Sequence, residues 1–400
     1  MADDHEVMVF SRGLKKGLSH GETYQTKQDG VDVTRVFVDL REISEFRDIY
    51  MKPWLDKLFR EYIESEKPDV VHFQHLGGMS LGMLAVAAEF GVPVVMTLSD
   101  HQPYCPRGQR IRNDKRVCKS INLDECLECL MPQTVGLPGK TSKLVSYLLG
   151  KQKGKQILRT MHEDIKEAFR NVDCFVMPSD YHRNRMIEMG VPEDTSLVLP
   201  YGLDLSLLDS VKPREAGVPV RRFGYLGTLI PSKGIEDAIM AFKRIKTPEC
   251  SLHVYGEAVP YHGITDYDKR LAELGRSADI SFYGPYQPED LPRVLENIDA
   301  LIMPSRWYES YGITIREAFR ARRPVIASDI GGFTEAIEHM KNGLKFPVGD
   351  VFGLAEQMDI LAADPELAAR LSEEGGHTES LSDHAAKLMS VYEGGCGGGA

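Results

Sequence analysis

Two α/β halves in tandem, each a parallel sheet covered by helices, are the fold that this sequence predicts. Three observations carry the prediction. Short apolar, β-branched runs alternate with helical stretches along the whole chain, the pattern of parallel strands joined by helices. The alternation is interrupted at residues 199–210 by Pro200, Gly202 and a polar run, and it restarts afterwards. A length of 400 residues exceeds what one typical core accommodates and suits two domains.

Taken in order, residues 6–11, 35–39, 70–74, 92–98, 174–178 and 196–199 read as strands of the first half, with helices at 53–66, 80–90 and 181–189. In the second half, strands at 222–226, 252–255, 280–283, 300–303 and 325–327 alternate with helices near 234–244, 288–296 and 313–322. The architecture that follows is two Rossmann-like domains facing across a cleft, residues 1–204 and 205–376. A helix at 377–393 packs back on the first domain, and a nearly all-glycine tail at 394–400 is expected to be disordered. Open sheets of this kind bind ligands beyond the carboxyl ends of their strands, so the site is expected in the interdomain cleft.

A net charge of −11 excludes wholesale nucleic-acid binding, which needs a basic face to displace counterions. The charge is uneven: residues 107–159 hold twelve Lys or Arg against four Asp or Glu. That segment reads either as a solvated loop and helix or as a surface meeting anionic lipid or a phosphate-bearing acceptor, each basic residue near such a membrane contributing about 1 kcal/mol. The longest apolar stretch, residues 79–96, is broken by Glu89, Gly91 and Pro93, so it is no membrane span. The first five residues are acidic and polar rather than basic and then apolar, so no secretory signal is read. The expected address is the cytoplasm, with peripheral contact at the inner membrane face where the basic segment meets lipid.

The most informative segment is a strand ending at Met303, the run Pro304-Ser305-Arg306-Trp307-Tyr308-Glu309-Ser310-Tyr311-Gly312, and a helix containing Glu317. It continues into a strand ending at Ser328 and a turn with Gly331 and Gly332. Glu309 and Glu317 stand eight positions apart, a helical rise of about 12 Å. A second unit, Phe223-Gly224-Tyr225-Leu226-Gly227-Thr228 followed by Pro231-Ser232-Lys233-Gly234, also leads from a strand through a turn into a helix.

With these motifs the chain resembles the family 4 retaining glycosyltransferases of the GT-B fold, from about His5 to about Tyr392. Pro178-Ser179, Tyr201-Gly202-Leu203-Asp204 and Tyr255-Gly256 are further matches. The resemblance implies that Glu309 binds hydroxyls of the donor sugar and Glu317 those of the ribose. The Gly227-Thr228 turn and Lys233 lie on the departing diphosphate, and Ser310 with the amides of Tyr311, Gly312 and Ile313 opens the helix toward the same group. It also implies transfer without a protein nucleophile and without a catalytic metal, from a nucleotide-sugar donor to a glycan or lipid-linked hydroxyl acceptor. A catalytically silent partner subunit and a GT-B sugar epimerase are the alternatives.

The chain departs from that family at three places. A strand, glycine loop and helix usually precede the segment that here begins at His5, and they are expected to be missing. Thr228 stands where an arginine is common, leaving more of the charge to Lys233. Ser99 stands where a histidine is common, and His101, two residues on, is the candidate to replace it as a catalytic group facing the donor sugar; His72 and His75 read as local hydrogen-bonding residues. The loop that follows carries Cys105, Cys118, Cys126 and Cys129, four thiols suited to a structural zinc, with an iron–sulfur cluster or unliganded thiols as alternatives. Disulfides are not expected of a cytoplasmic chain, and Cys174 and Cys250 read as core or strand-edge residues.

Overall fold

The computed structural model describes residues 4–130, 151–215 and 217–397. Its second half is one six-stranded sheet, all parallel, of β8 (Arg222–Leu226), β9 (Ser251–Tyr255), β10 (Ile280–Gly284), β11 (Ala300–Met303), β12 (Val325–Ser328) and β13 (Leu344–Phe346). The order across the sheet is β10-β9-β8-β11-β12-β13. β11 and β12 are buried at every position, as a sheet covered on both faces requires. Alternate residues of β11 serve different cores. Ala300 and Ile302 pack with the helices Ile235–Phe242 and Val351–Ala363, whereas Leu301 and Met303 pack with Leu291–Glu296 and Ile313–Arg320.

The first half is split. β4 (Val71–Phe73), β5 (Val94–Thr97), β6 (Cys174–Met177) and β7 (Ser196–Val198) form a four-stranded parallel sheet. β1 (Met8–Gly13), β2 (Thr23–Gln28) and β3 (Val31–Phe37) form a separate sheet in the order β1-β3-β2, and a cavity of about 410 Å³ lies between residues 8–12 and 70–77. β2 has no counterpart in the sequence reading. It is a polar, mostly exposed edge strand, Thr-Tyr-Gln-Thr-Lys-Gln, without the apolar run that marks a buried strand. What pins it is the two-residue Asp29-Gly30 turn, both at positive φ, which matches the twist of the hairpin.

The chain crosses between the halves twice, and the two crossings are bonded to each other. Leu203 N–H donates to Glu379 O at 2.9 Å, and Leu381 N–H to Leu203 O at 3.0 Å. Gly202 permits this approach, because a Cβ there would lie 2.5 Å from Ser380 O. The returning helix Leu381–Gly394 buries Leu388 and Val391 against Val95, Cys174, Val176 and Leu199 of the first half. Tyr392 closes the contact, its hydroxyl 2.7 Å from His72 Nδ1, while His72 Nε2 lies 2.8 Å from Thr97 Oγ1.

The reading of 394–400 as disordered is corrected here for the described residues. Gly394 ends the helix, Gly395–Gly397 form a 3-10 turn, and Cys396 is disulfide-bonded to Cys174 across 222 positions. The expectation of no disulfide falls with it. The physical reason is the return helix, which carries the glycine-rich end directly over β6. Among the described residues no helix is long and apolar enough to cross a membrane.

Candidate active site

The strand order of the second sheet reverses between β8 and β11, so the loops leaving their carboxyl ends diverge and open a crevice. Both sequence motifs leave from those two strands. The turn after β8 carries Gly227, Thr228 and, on the 3-10 turn Pro231–Lys233, Lys233; the loop after β11 carries residues 304–312.

The structure brings Lys233 and Glu309 into direct contact over a separation of 76 residues. Lys233 Nζ lies 2.7 Å from Glu309 Oε1 and 3.0 Å from Oε2. Oε1 also accepts from Trp307 Nε1 at 2.7 Å and from the Ser305 hydroxyl. Glu309 is only 6% exposed, and this set of donors offsets the cost of taking its carboxyl oxygens out of water. Lys233 also sits 5.1 Å over the Trp307 ring. An ammonium has three donors and a carboxylate about four lone pairs, so Lys233 keeps one hydrogen and Oε2 keeps acceptor capacity for a ligand.

Backbone contacts set this geometry. Gly234 adopts φ 72°, and a Cβ there would lie 1.8 Å from Pro304 O. Arg306 N–H donates to Ser232 O at 2.8 Å, stitching the two loops together. The Arg306 guanidinium then pairs through two nitrogens with Asp237, which is fully buried on the helix Ile235–Phe242. Ser305, Arg306, Trp307 and Asp237 were not singled out from the sequence. Their signal there was only proximity to the motif, and for Asp237 a charge on an otherwise apolar helix face.

Glu317 stands on the helix Ile313–Arg320 that Gly312 opens at φ 85°. It is half-buried. Burial pushes its carboxyl up from 4.5 to about 7, and no hydrogen bond or ion pair holds it among the described residues. Near the same helix, the Arg316 guanidinium lies 3.9 Å over the Tyr311 ring with two buried nitrogens unpartnered. Thr228 is exposed, and Gly227 partly so, at the mouth of the crevice.

His101 does reach the donor-side loop, but it does so buried. Its Nε2 lies 3.1 Å from Tyr308 O, the side chain is 0% exposed, and Nδ1 has no partner. Burial, then His182, pulls its pKa down to about 3, so the ring is neutral and donates from Nε2. In this arrangement it holds the loop rather than facing an open cleft. Further bonds cross between the halves: Ser179 Oγ donates to Ser310 O at 2.6 Å, and Tyr181 N–H to Glu335 Oε2 at 2.9 Å.

Cys105, Cys118, Cys126 and Cys129 are all free. Cys118 is pushed up to about 12 by burial and by its three neighbouring thiols, so the four occupy one region. Among the described residues, however, no group of three or more His, Cys, Asp or Glu is placed so that it could hold a metal ion. The basic segment is paired in part. Arg112, Arg116 and Lys155 meet Glu125, Asp114 and Asp124 of the segment itself, and Lys115 meets Glu236 of the second half, so among these pairs only the last draws on the local positive excess.

Residues 215–378 match the family model described as glycosyl transferases group 1, and residues 1–207 match glycosyltransferase family 4. A glycogen synthase from Mycobacterium tuberculosis is 32% identical over 148 residues, 36% of this chain and 35% of that protein. The lipopolysaccharide core biosynthesis glycosyltransferase LpsE of Rhizobium meliloti is 26% identical over 56% of this chain and 65% of its own length. The chain thus spans about a third of the first of these relatives and just under two thirds of the second. Among solved structures, a sucrose-phosphate synthase from Thermosynechococcus elongatus aligns over 98% of this chain and 89% of its own, with a TM-score of 0.66 and 17% identity. HepE of Anabaena, in complex with UDP and glucose, aligns over 91% and 86% with a TM-score of 0.59 and 18% identity. The two facing α/β halves are therefore a GT-B fold, and the chain belongs to glycosyltransferase family 4.

Proposed function

We propose that this protein transfers a sugar from a nucleoside diphosphate donor to a hydroxyl acceptor with retention of configuration, in the assembly of a cell-surface polysaccharide or lipid-linked glycan. The observation that carries the reading is the Lys233–Glu309 pair at the switch point of the second sheet, followed on the next helix by Glu317, which has no partner among the described residues. Glu309 takes sugar hydroxyls on its remaining lone pairs, and Glu317 takes those of the ribose. Lys233 and the amides of Tyr311, Gly312 and Ile313 stabilise the charge that grows on the diphosphate as the anomeric bond breaks. His101 and Ser179 act as positioning residues, bonding to the carbonyls of Tyr308 and Ser310. A lipid-linked acceptor would draw the protein to a membrane surface, where the exposed Lys119, Lys153 and Arg159 face anionic headgroups.

Titration calorimetry with UDP, GDP and ADP tests the donor half. Micromolar binding of one nucleotide, weakened in Lys233→Ala and Glu317→Ala, supports the reading and names the base. Binding of none replaces it with a catalytically silent partner subunit.

A further inference from the structure

A second cavity, of about 260 Å³, opens at the carboxyl ends of β1, β4 and β5 and is lined wholly by the first half. Its floor is apolar, made by Ile43, Ile49, Leu76, Leu81, Leu98 and Met161. Among the polar groups that line it, which include Ser99 and Gln102, the titratable ones with a charge to offer a ligand are Arg12, His75 and Asp100.

Arg12 has no hydrogen-bond or ion-pair partner among the described residues, and its Nε is shut off from water. A guanidinium offers five N–H donors, and leaving one of them dry and unbonded is costly unless a ligand satisfies it. The chain packs a second cation nearby. Lys52, with Nζ donating to the carbonyls of Ile49 and Met79, is held down to about 8 by burial and then by the Arg12 charge.

Asp100 is arranged as a hydrogen-bond acceptor. Gln102 N–H donates to its Oδ1 at 2.7 Å, and His75 Nε2 lies 3.4 Å from its Oδ2. His75 Nδ1 accepts from Gly77 N–H at 2.9 Å, so the ring hydrogen is on Nε2 and faces the carboxylate. The same segment touches the donor side. His101, the next residue, bonds to Tyr308 O, and Tyr201, beside Ser99, packs edge-on against Tyr311 at 5.4 Å.

We infer that this cavity holds the acceptor, and that the acceptor is an amphiphile. Its apolar body lies on the floor, a phosphate or carboxylate sits on Arg12, and the reacting hydroxyl is held by Asp100. The inference rests on the transferase reading above. In the reaction the acceptor oxygen forms the new bond to the anomeric carbon. The bond from that carbon to the diphosphate oxygen breaks, with the electron pair leaving on the diphosphate, and the hydroxyl proton passes to a diphosphate oxygen. Asp100 orients the hydroxyl and keeps no proton.

The test is calorimetric titration of the full chain, with and without saturating UDP, using octyl phosphate, 3-phenylpropionate, octanol and inorganic phosphate. Octyl phosphate or 3-phenylpropionate should bind at least about tenfold more tightly than octanol or inorganic phosphate, and the preferred anion separates a lipid phosphate from a small aromatic acid. Arg12→Ala should lose that preference by about tenfold, Arg12→Lys should keep part of it, and both should bind UDP as the unchanged protein does. Octanol binding as tightly as the anions, or an unaltered preference in Arg12→Ala, would overturn the anionic acceptor. Inorganic phosphate binding as tightly as octyl phosphate overturns the apolar body. If no probe binds while UDP does, the cavity assignment fails and the donor reading stands; if UDP also fails to bind, both fall.

Discussion

Replacing Glu317 by Gln removes a carboxyl that burial holds at about 7 instead of 4.5 and that has no partner among the described residues. The folded protein keeps a proton there that the unfolded chain releases. Stability therefore falls as pH rises, from the unfolded value of 4.5 through the folded value of about 7. At about 1.4 kcal/mol per pH unit the whole window withdraws about 3 kcal/mol, of which roughly 2.5 kcal/mol lies between pH 5 and pH 8. The buried histidines act in the opposite sense. His72, His101 and His182, lowered to about 4, 3 and 4, support the fold fully above their unfolded value of 6.5 and lose that support as pH falls. The useful quantity is thus the difference between variant and unchanged protein, in which the histidines cancel. Urea midpoints of both proteins at pH 5 and pH 8 should show Glu317→Gln gaining about 2.5 kcal/mol relative to the unchanged chain at the higher pH. An equal difference at both pH values would mean that the carboxyl titrates normally and is solvated or paired, which removes the physical basis for keeping it as a ribose acceptor. UDP affinity adds a second readout: it should rise by up to about tenfold from pH 6 to pH 8 in the unchanged protein, beyond any rise seen in Glu317→Gln.

Lys233→Ala should slow sugar transfer about 10²- to 10³-fold, read as kcat on the competent donor, and cost about 1–3 kcal/mol of stability by stranding the buried Glu309. Gly234→Ala forces a Cβ into Pro304 O at a positive φ, so it should shift both loops and weaken nucleotide binding together with thermal stability, whereas Gly217→Ala, also at positive φ but with open space around it, should leave nucleotide binding intact. Thiol titration in denaturant should count five groups before reduction and seven after it, and Cys396→Ser should loosen the C-terminal helix enough to expose it to limited proteolysis.

The second half was the more legible in the sequence. Ala300–Met303 is buried at every position and Arg222–Leu226 at every position after Arg222, so both stand out as apolar segments, and their observed bounds agree with the sequence reading. β2 escaped notice because an exposed edge strand has no such run, and β13, Leu344-Lys345-Phe346, because a lysine divides its two apolar residues. The site divides in the same way. Lys233, Gly312 and Glu317 each lie within one strand-turn-helix unit, and the local geometry of that unit already places them at a strand's carboxyl end or a helix's opening turn.

Taken by itself, then, the sequence determined most of the buried strands and the helices that follow the two motifs, where the alternation restarts, and which loops carry the charged groups. These follow from side-chain period and turn chemistry, forces that act over a few residues. Only the tertiary structure decided that Lys233 neutralises Glu309 across 76 positions, that His101 ends buried against Tyr308 across 207, and that Cys396 meets Cys174 across 222. It also decided that Lys115 is paired with Glu236 of the other half instead of lying free in a basic patch. No short-range preference selects such partners. They are brought together when the two halves and the returning helix bury their apolar faces, and the polar groups then bond to whatever that closure sets beside them.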